Sequence, residues 1–158
     1  MKRTTFKAVV VALLLGSGAT AMAANDGQVR ASDLLSSDPH YRETWQGVVK
    51  NEVNVPDWVM NLSGDAEQQM SAVEEEGSKD KYLVGPLCEN QQVCKSHRLI
   101  VAFSWNKKQA YGMLVDVPEG LPADKSPTRH ATYRWLGKPD QGMQALLMGE
   151  LKKDPNWY

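Results

Sequence analysis

Residues 82–117 read YLVGPLCENQQVCKSHRLIVAFSWNKKQAYGMLVDV, which is three apolar runs separated by two polar segments. The runs, at 82–87, 98–105 and 109–117, are rich in Leu, Ile, Val and aromatic residues, a composition typical of β-strands. The second polar segment, 106–108, reads Asn-Lys-Lys and is short enough for a hairpin turn. The middle run is therefore predicted to be a central strand, and the third run its hairpin partner.

Two further strands are predicted on either side of this segment. Residues 70–75 form a hairpin with the strand at 82–87, because the polar residues 76–80 between them have turn composition. Residues 128–136 supply a fifth strand, after a proline-rich loop. The order of the strands in the sheet stays open.

Helices are predicted before and after the strands. Asp38-Pro39 opens a helix, and Ser32 caps a shorter one ahead of it. Apolar residues recur on one face of the first helix and of a final helix that ends before Pro155: Tyr41, Trp45, Val48 and Val49, then Met143, Leu146, Leu147 and Leu151. The pattern predicts an α+β domain with a central antiparallel sheet of about five strands, flanked by N- and C-terminal helices.

The first 23 residues have the features of a secretory signal peptide. Residues 2–7 carry three basic side chains, residues 8–15 form an apolar core, and Ala-Met-Ala at 21–23 is a small-x-small cleavage site. The apolar core is shorter than the roughly 20 residues of a membrane span. We therefore expect cleavage after Ala23 instead of a membrane anchor.

Residues 24–158 are then expected to form one exported domain, since their length suits a single hydrophobic core. Removing residues 1–23 takes away three of the 18 basic residues and none of the 19 acidic ones, which leaves a formal charge of −4. This balance disfavours nucleic acid as a partner, because nucleic-acid binding needs a basic surface. It is compatible with a cationic protein partner.

The two cysteines of the chain, Cys88 and Cys94, both lie in the exported part. An even cysteine count in an oxidising compartment favours a disulfide bond. The alternative is a zinc site with His97 as a further ligand, but a structural zinc site needs about four ligands at tighter spacings.

The sequence carries none of the common catalytic motifs, such as Gly-x-Ser-x-Gly, His-Glu-x-x-His or a glycine-rich phosphate loop. The three histidines, His40, His97 and His130, lie in different segments and lack a neighbouring nucleophile motif. We therefore predict a protein that is not an enzyme and that needs no cofactor. A carbohydrate-binding module stays open, provided that two or three of the five tryptophans are exposed on one face.

The segment 88–94, Cys-Glu-Asn-Gln-Gln-Val-Cys, is the most unusual feature between the predicted strands. A disulfide closing so small a loop adds only about 2 kcal/mol of stability. Its larger effect is to fix a polar loop in one shape before binding, which lowers the ordering cost of an encounter. Protein inhibitors present rigid loops to active sites in this way, and a stapled strand connection without a partner is the equally weighted alternative.

Several of these motifs resemble the inhibitor of vertebrate lysozyme family, Ivy, of periplasmic proteins in Gram-negative bacteria. The two specific ones are the Pro-x-Trp-Val-Met element at 56–60 and the two-cysteine loop. Supporting matches follow in the family's order along nearly the whole exported chain: the strand at 97–105, Tyr111-Gly112-Met113-Leu114, Tyr133-Arg134-Trp135-Leu136, and the last helix with residues 155–158.

The resemblance implies a periplasmic protein that inhibits lysozyme-type muramidases, enzymes that cleave peptidoglycan, by plugging the active-site cleft with its loop. The partner is then a lysozyme or a lytic transglycosylase, and a homodimer stays open. The implied inhibitory loop consists of Cys88, Glu89, Asn90, Gln91, Gln92, Val93 and Cys94, with His97 as a peripheral contact.

The loop of this chain departs from that of the lysozyme-inhibiting members, which is Cys-Lys-Pro-His-Asp-Cys or close to it. There the histidine reaches the catalytic carboxylates of the enzyme. Here the loop is one residue longer, and Glu89 with three amides stands in place of Lys, Pro and His. Because lysozyme works with two carboxylates, Glu89 brings a like charge, and we expect weak or absent inhibition of animal lysozyme.

Overall fold

The computed structural model describes residues 29–122 and 124–158, so the predicted signal peptide at 1–23 lies outside the described residues. The five helices of this part are α1 Leu34–Ser37, α2 Pro39–Val49, α3 Asp57–Met60, α4 Pro127–His130 and α5 Gln141–Leu151. The five strands are β1 Ser71–Glu74, β2 Lys81–Cys88, β3 His97–Ser104, β4 Ala110–Asp116 and β5 Thr132–Leu136. Within the described ranges, no helix has the length and hydropathy needed to cross a membrane.

The strands form one antiparallel sheet in the order β1-β2-β3-β4-β5, so each strand pairs with its neighbour in the chain. The predicted α+β class, with a five-stranded antiparallel sheet between helices, is confirmed. The predicted hairpins at 70–87 and 98–117 are also present, with each strand boundary shifted by one residue.

Both faces of the sheet are covered, which explains the unbroken apolar run of the central strand. Side chains alternate between the two faces of a strand. On β3, Leu99, Val101 and Phe103 face the cluster that contains α2, whereas Ile100 and Ala102 face the cluster that contains α5. The protein is thus a sheet between two helical layers, with a core on each side.

Helix α2 begins as the sequence predicts. The carboxylate of Asp38 caps it by accepting a hydrogen bond from the backbone N–H of His40, and Pro39 occupies the first turn. Tyr41, Trp45 and Val49 are buried against the sheet, and Val48 is partly buried beside them.

Two local predictions are wrong. Residues 127–130 form helix α4 and not the beginning of the fifth strand, because Pro127 starts a helical turn closed by a hydrogen bond from Ala131 N–H to its carbonyl. Ser32 does not cap a helix: it lies inside a short 3-10 helix, Ala31–Asp33, whose N-cap is Arg30.

A charged cluster joins the start of α2 to the turn between β3 and β4. The carboxylate of Asp38 accepts hydrogen bonds from Lys107 Nζ and from the ring Nδ1 of His40, each at 2.8 Å. The hydrogen bond from Lys107, and then those from the backbone and ring of His40, hold the pKa of Asp38 well below its usual range. The folded state therefore binds fewer protons at this site than the unfolded state does.

We expect this site to make stability fall in acid. Its contribution is complete above the unfolded pKa, about 3.9, and is lost as the pH falls from there through the lower folded pKa. Asp38→Asn and Lys107→Met should each reduce the free energy of unfolding at neutral pH and flatten its decline between about pH 5 and pH 2. Urea unfolding at several pH values measures how steeply the free energy of unfolding falls in acid. If this slope is the same in both variants as in the parent protein, Asp38 and Lys107 are not its source.

Candidate functional site

The two-cysteine loop connects β2 to β3, the central strand of the sheet. Cys88 ends β2 and stands opposite Arg98 of β3 in the register of the sheet. Cys88 and Cys94 form a disulfide bond with a Cα–Cα distance of 4.9 Å, which confirms the predicted pair. Between them the chain makes a short 3-10 helix, Gln91–Val93.

Asn90 shapes the loop from inside. Its side-chain Oδ1 accepts hydrogen bonds from the backbone N–H groups of Gln92 at 3.0 Å and Val93 at 3.2 Å, so it caps the 3-10 helix. Asn90 is half-buried, whereas the side chains of Glu89, Gln91 and Gln92 are exposed. The loop therefore presents one carboxylate and two amides to solvent on a backbone that is already folded.

The base of the loop is held by backbone hydrogen bonds to a segment that is distant in sequence. Cys88 and Asp65 exchange two such bonds, each 2.8 Å long, and Glu89 N–H donates to the carbonyl of His97 at 3.3 Å. Gly64 lies against the same point, because a Cβ on this residue would be 1.9 Å from the carbonyl oxygen of Cys88 and 3.2 Å from the ring of Trp58. The Pro-x-Trp-Val-Met element thus supports the segment that closes the loop base.

Gly64→Ala is expected to destabilise the protein by about 1 to 3 kcal/mol, since the added methyl group must displace backbone. Gly47→Ala is the matched control. Gly47 lies within α2, and no atom comes within 4 Å of the position that a methyl group on it would take, so alanine there should raise the stability by about 0.5 to 1 kcal/mol. Chemical denaturation measures both changes, and equal stabilities of the two variants would show that Gly64 is not packed against Cys88.

A polar depression of about 430 Å³ lies beside the loop. Gln91 of the loop lines it together with Arg30, Ser32, Asp65, Ala66 and Glu67. Asp65, Glu67 and the loop residue Glu89 are exposed carboxylates. The surface around the loop therefore carries more negative than positive side chains.

His97 stands at the loop base as the first residue of β3. Its ring Nδ1 is 2.8 Å from the Asp116 carboxylate, and its Nε2 is 3.8 Å from Glu119. The side chain is 34% exposed and is not among the residues that line the depression beside the loop. The pairing with Asp116 fixes the ring at the end of two paired strands.

Comparison with known proteins identifies the family. Residues 40–152 match the family model described as inhibitor of vertebrate lysozyme (Ivy). The chain belongs to the Ivy family. The matched range extends from α2 to α5 and includes the loop, so the resemblance read from the motifs is confirmed.

The chain is similar to three curated proteins, of which one carries the name of the Ivy family. A Pseudomonas aeruginosa protein named inhibitor of vertebrate lysozyme is 39% identical over 132 residues, which cover 82% of each chain. An uncharacterised protein of the same species is 55% identical over 150 residues, covering 93% of this chain and 94% of the relative. An uncharacterised protein of Yersinia pestis is 36% identical over 123 residues, covering 78% and 77%.

The zinc and carbohydrate alternatives do not fit the geometry of this Ivy-family chain. Both cysteine sulfur atoms bond to each other, and the described residues contain no cluster of three or more His, Cys, Asp or Glu side chains suited to a metal. In the same described part, Trp105 alone among the five tryptophans is exposed; Trp45 and Trp157 are buried, and Trp58 and Trp135 are partly buried. A flat face of two or three tryptophans is therefore missing there.

Proposed function

We propose that this chain is an exported, periplasmic inhibitor of lysozyme-type muramidases, and that the loop 88–94 enters the active-site cleft of the enzyme. The observation that carries the proposal is the loop itself, which is exposed, disulfide-closed and capped from within by Asn90. Membership of an inhibitor family supports it, as does the name of the 39% identical relative. The signal-peptide pattern at 1–23 supports export.

The proposed mechanism is occlusion of the cleft by a preformed loop. Because Asn90 already satisfies the backbone of the 3-10 helix, little conformational entropy is lost on binding. The exposed amides of Gln91 and Gln92 donate hydrogen bonds to the two carboxylates that flank the scissile bond. Glu89 opposes binding, since its charge has the same sign as those carboxylates.

The inhibition assay compares two enzyme classes, an animal lysozyme and a bacterial lytic transglycosylase. We expect residues 24–158 to inhibit animal lysozyme weakly or not at all in cell-wall turbidity clearance.

Glu89→Gln should strengthen inhibition about tenfold, because it removes the like charge. Glu67→Gln, on the depression beside the loop, is the matched control and should change inhibition less. Nanomolar inhibition of animal lysozyme by the parent protein would overturn the expected weakness.

The second candidate is a periplasmic binding protein of the same fold without inhibitory activity. The exposed Glu89 at the start of the loop favours it, since an anionic loop suits a cleft with two carboxylates poorly. A pull-down with immobilised lysozyme and lytic transglycosylase separates the two candidates. An inhibitor is retained by at least one enzyme and slows it, whereas the second candidate is retained by neither.

A further inference from the structure

Arg98 is a buried cation directly behind the loop. It lies on β3 opposite Cys88 and on the same face of the sheet, where cross-strand side chains are direct neighbours. The residue is 7% exposed, and its neighbours on this face of β3 are Ile100 and Ala102 of the α5 core. A charge in such a place is costly unless it is paired.

The partners of Arg98 come from the segment after α5. Its Nη1 donates to the Asp154 carboxylate at 2.5 Å, and its guanidinium carbon lies 5.4 Å from the centre of the Trp157 ring. The Nε of Arg98 is buried and has no hydrogen-bond partner among the described residues. The side chain is therefore held by one carboxylate and one aromatic ring.

Asp154 in turn organises the segment that contains Trp157. Its second oxygen accepts a hydrogen bond from Asn156 N–H at 2.8 Å, and its carbonyl accepts one from Trp157 N–H at 3.0 Å. Burial on its own raises the pKa of Asp154, but the hydrogen bonds from Asn156 and Arg98 outweigh it and lower the pKa. The carboxylate therefore stays charged and links the turn to β3.

We propose that Arg98 is a positioning residue, which fixes the Cys88 end of the loop by tying β3 to Asp154 and Trp157. A buried ion pair adds little net stability compared with apolar side chains of similar size, so its effect is on the placement of the strand end from which the loop leaves. That this placement helps to bind an enzyme rests on the proposed inhibitory function. The placement itself is independent of that function.

The test measures how fast a thiol reductant opens the Cys88–Cys94 disulfide under native conditions, well below the thermal midpoint. Arg98→Met should accelerate reduction about tenfold, because loss of a charge-assisted hydrogen bond favours local opening. Its thermal midpoint should fall as well, because Asp154 loses its partner, so its reduction rate must be compared with that of a control variant whose midpoint is also lowered. Arg98→Lys keeps a cation that can pair with Asp154 but loses the planar guanidinium beside Trp157, so its reduction rate should lie between those of Arg98→Met and the parent protein.

Met143→Ala is the control, because Met143 is buried in the same α5 core but at the opposite end of the helix from Asp154. It should lower the thermal midpoint and leave the reduction rate unchanged. The proposal is overturned if the disulfide of Arg98→Met is reduced as slowly as that of the parent protein. It is also overturned if the reduction rates of all three variants simply rise as their thermal midpoints fall. If Arg98→Met does not fold, an Arg98→Lys reduction rate equal to that of the parent protein would overturn the proposal.

A binding measurement tests whether the placement of the loop affects its affinity for an enzyme. With an enzyme that the parent protein binds, Arg98→Met should weaken affinity about tenfold through faster dissociation. If neither lysozyme nor lytic transglycosylase binds the parent protein, the proposed function fails while the reduction rates still decide the role of Arg98.

Discussion

Replacing both loop cysteines by serine should weaken enzyme binding in addition to lowering the stability of the fold. The disulfide closes a small loop, so its loss costs about 2 kcal/mol of stability. Without the disulfide, about three loop residues, including Gln91 and Gln92, become ordered only when the enzyme binds. Ordering each of them costs about 1 kcal/mol of conformational entropy. The expected loss of affinity is therefore about 100-fold.

Calorimetric titration against the enzyme that the parent protein binds measures the affinity, and urea unfolding measures the stability. Lys95→Ser is the matched control, because Lys95 is an exposed residue just outside the disulfide. It should leave both quantities nearly unchanged. Equal affinity of the double serine variant and the parent protein would exclude the disulfide as the source of a preformed binding element, and only the cap made by Asn90 would then remain to account for the shape of the loop.

The strands could be predicted from sequence because their signals are local. The runs at 82–87 and 98–105 owe their composition to burial on both faces of the sheet, and the Asn-Lys-Lys turn lies at 106–108 in the structure as predicted. The start of α2 was equally predictable, since Asp38 and Pro39 are a cap and a first-turn residue that act within one turn.

The support of the loop could not be predicted in the same way. The pairing of Cys88 with Asp65 and the contact of Gly64 with Cys88 join residues more than 20 positions apart, and a lone Gly-Asp pair reads as an ordinary turn. The burial of Arg98 could not be predicted either, because a single charged residue at the start of a strand is most often exposed. By contrast, the cap made by Asn90 could be predicted from the residue type, since asparagine is a preferred N-cap residue.

The prolyl start of α4 shows how one residue changes a local prediction. Residues 128–136 have strand composition, but Pro127 sets the backbone angle of a first helical turn. His130 then turns its ring Nδ1 to within 3.0 Å of the Ser126 carbonyl. The strand can therefore begin only at Thr132, after the turn is complete.

Trp45→Ala is expected to destabilise the protein by about 3 to 5 kcal/mol, which is a large part of the stability of a domain of this size. Trp45 is fully buried between α2 and the sheet, with its ring centre 5.9 Å from that of Phe103. Gly112 of β4 leaves room for the ring, since a Cβ there would be 3.1 Å from the Trp45 side chain. The ring Nε1 also donates to the Val59 carbonyl of α3 at 2.9 Å.

The substitution therefore leaves a cavity and removes a buried hydrogen bond, although the Val59 carbonyl still accepts a second one from Leu62 N–H at 3.4 Å. Trp105→Ala is the matched control: Trp105 is 50% exposed, and its backbone N–H keeps the hydrogen bond to Lys81 whatever the side chain. We expect that variant to lie within about 0.5 kcal/mol of the parent protein. Urea denaturation followed by circular dichroism compares the two, and a similar loss in both would contradict the packing of α2 on the sheet through Trp45. Because α3 carries the Trp58 that touches Gly64 at the loop base, the Trp45 variant should also lose enzyme binding, whereas the Trp105 variant should keep it.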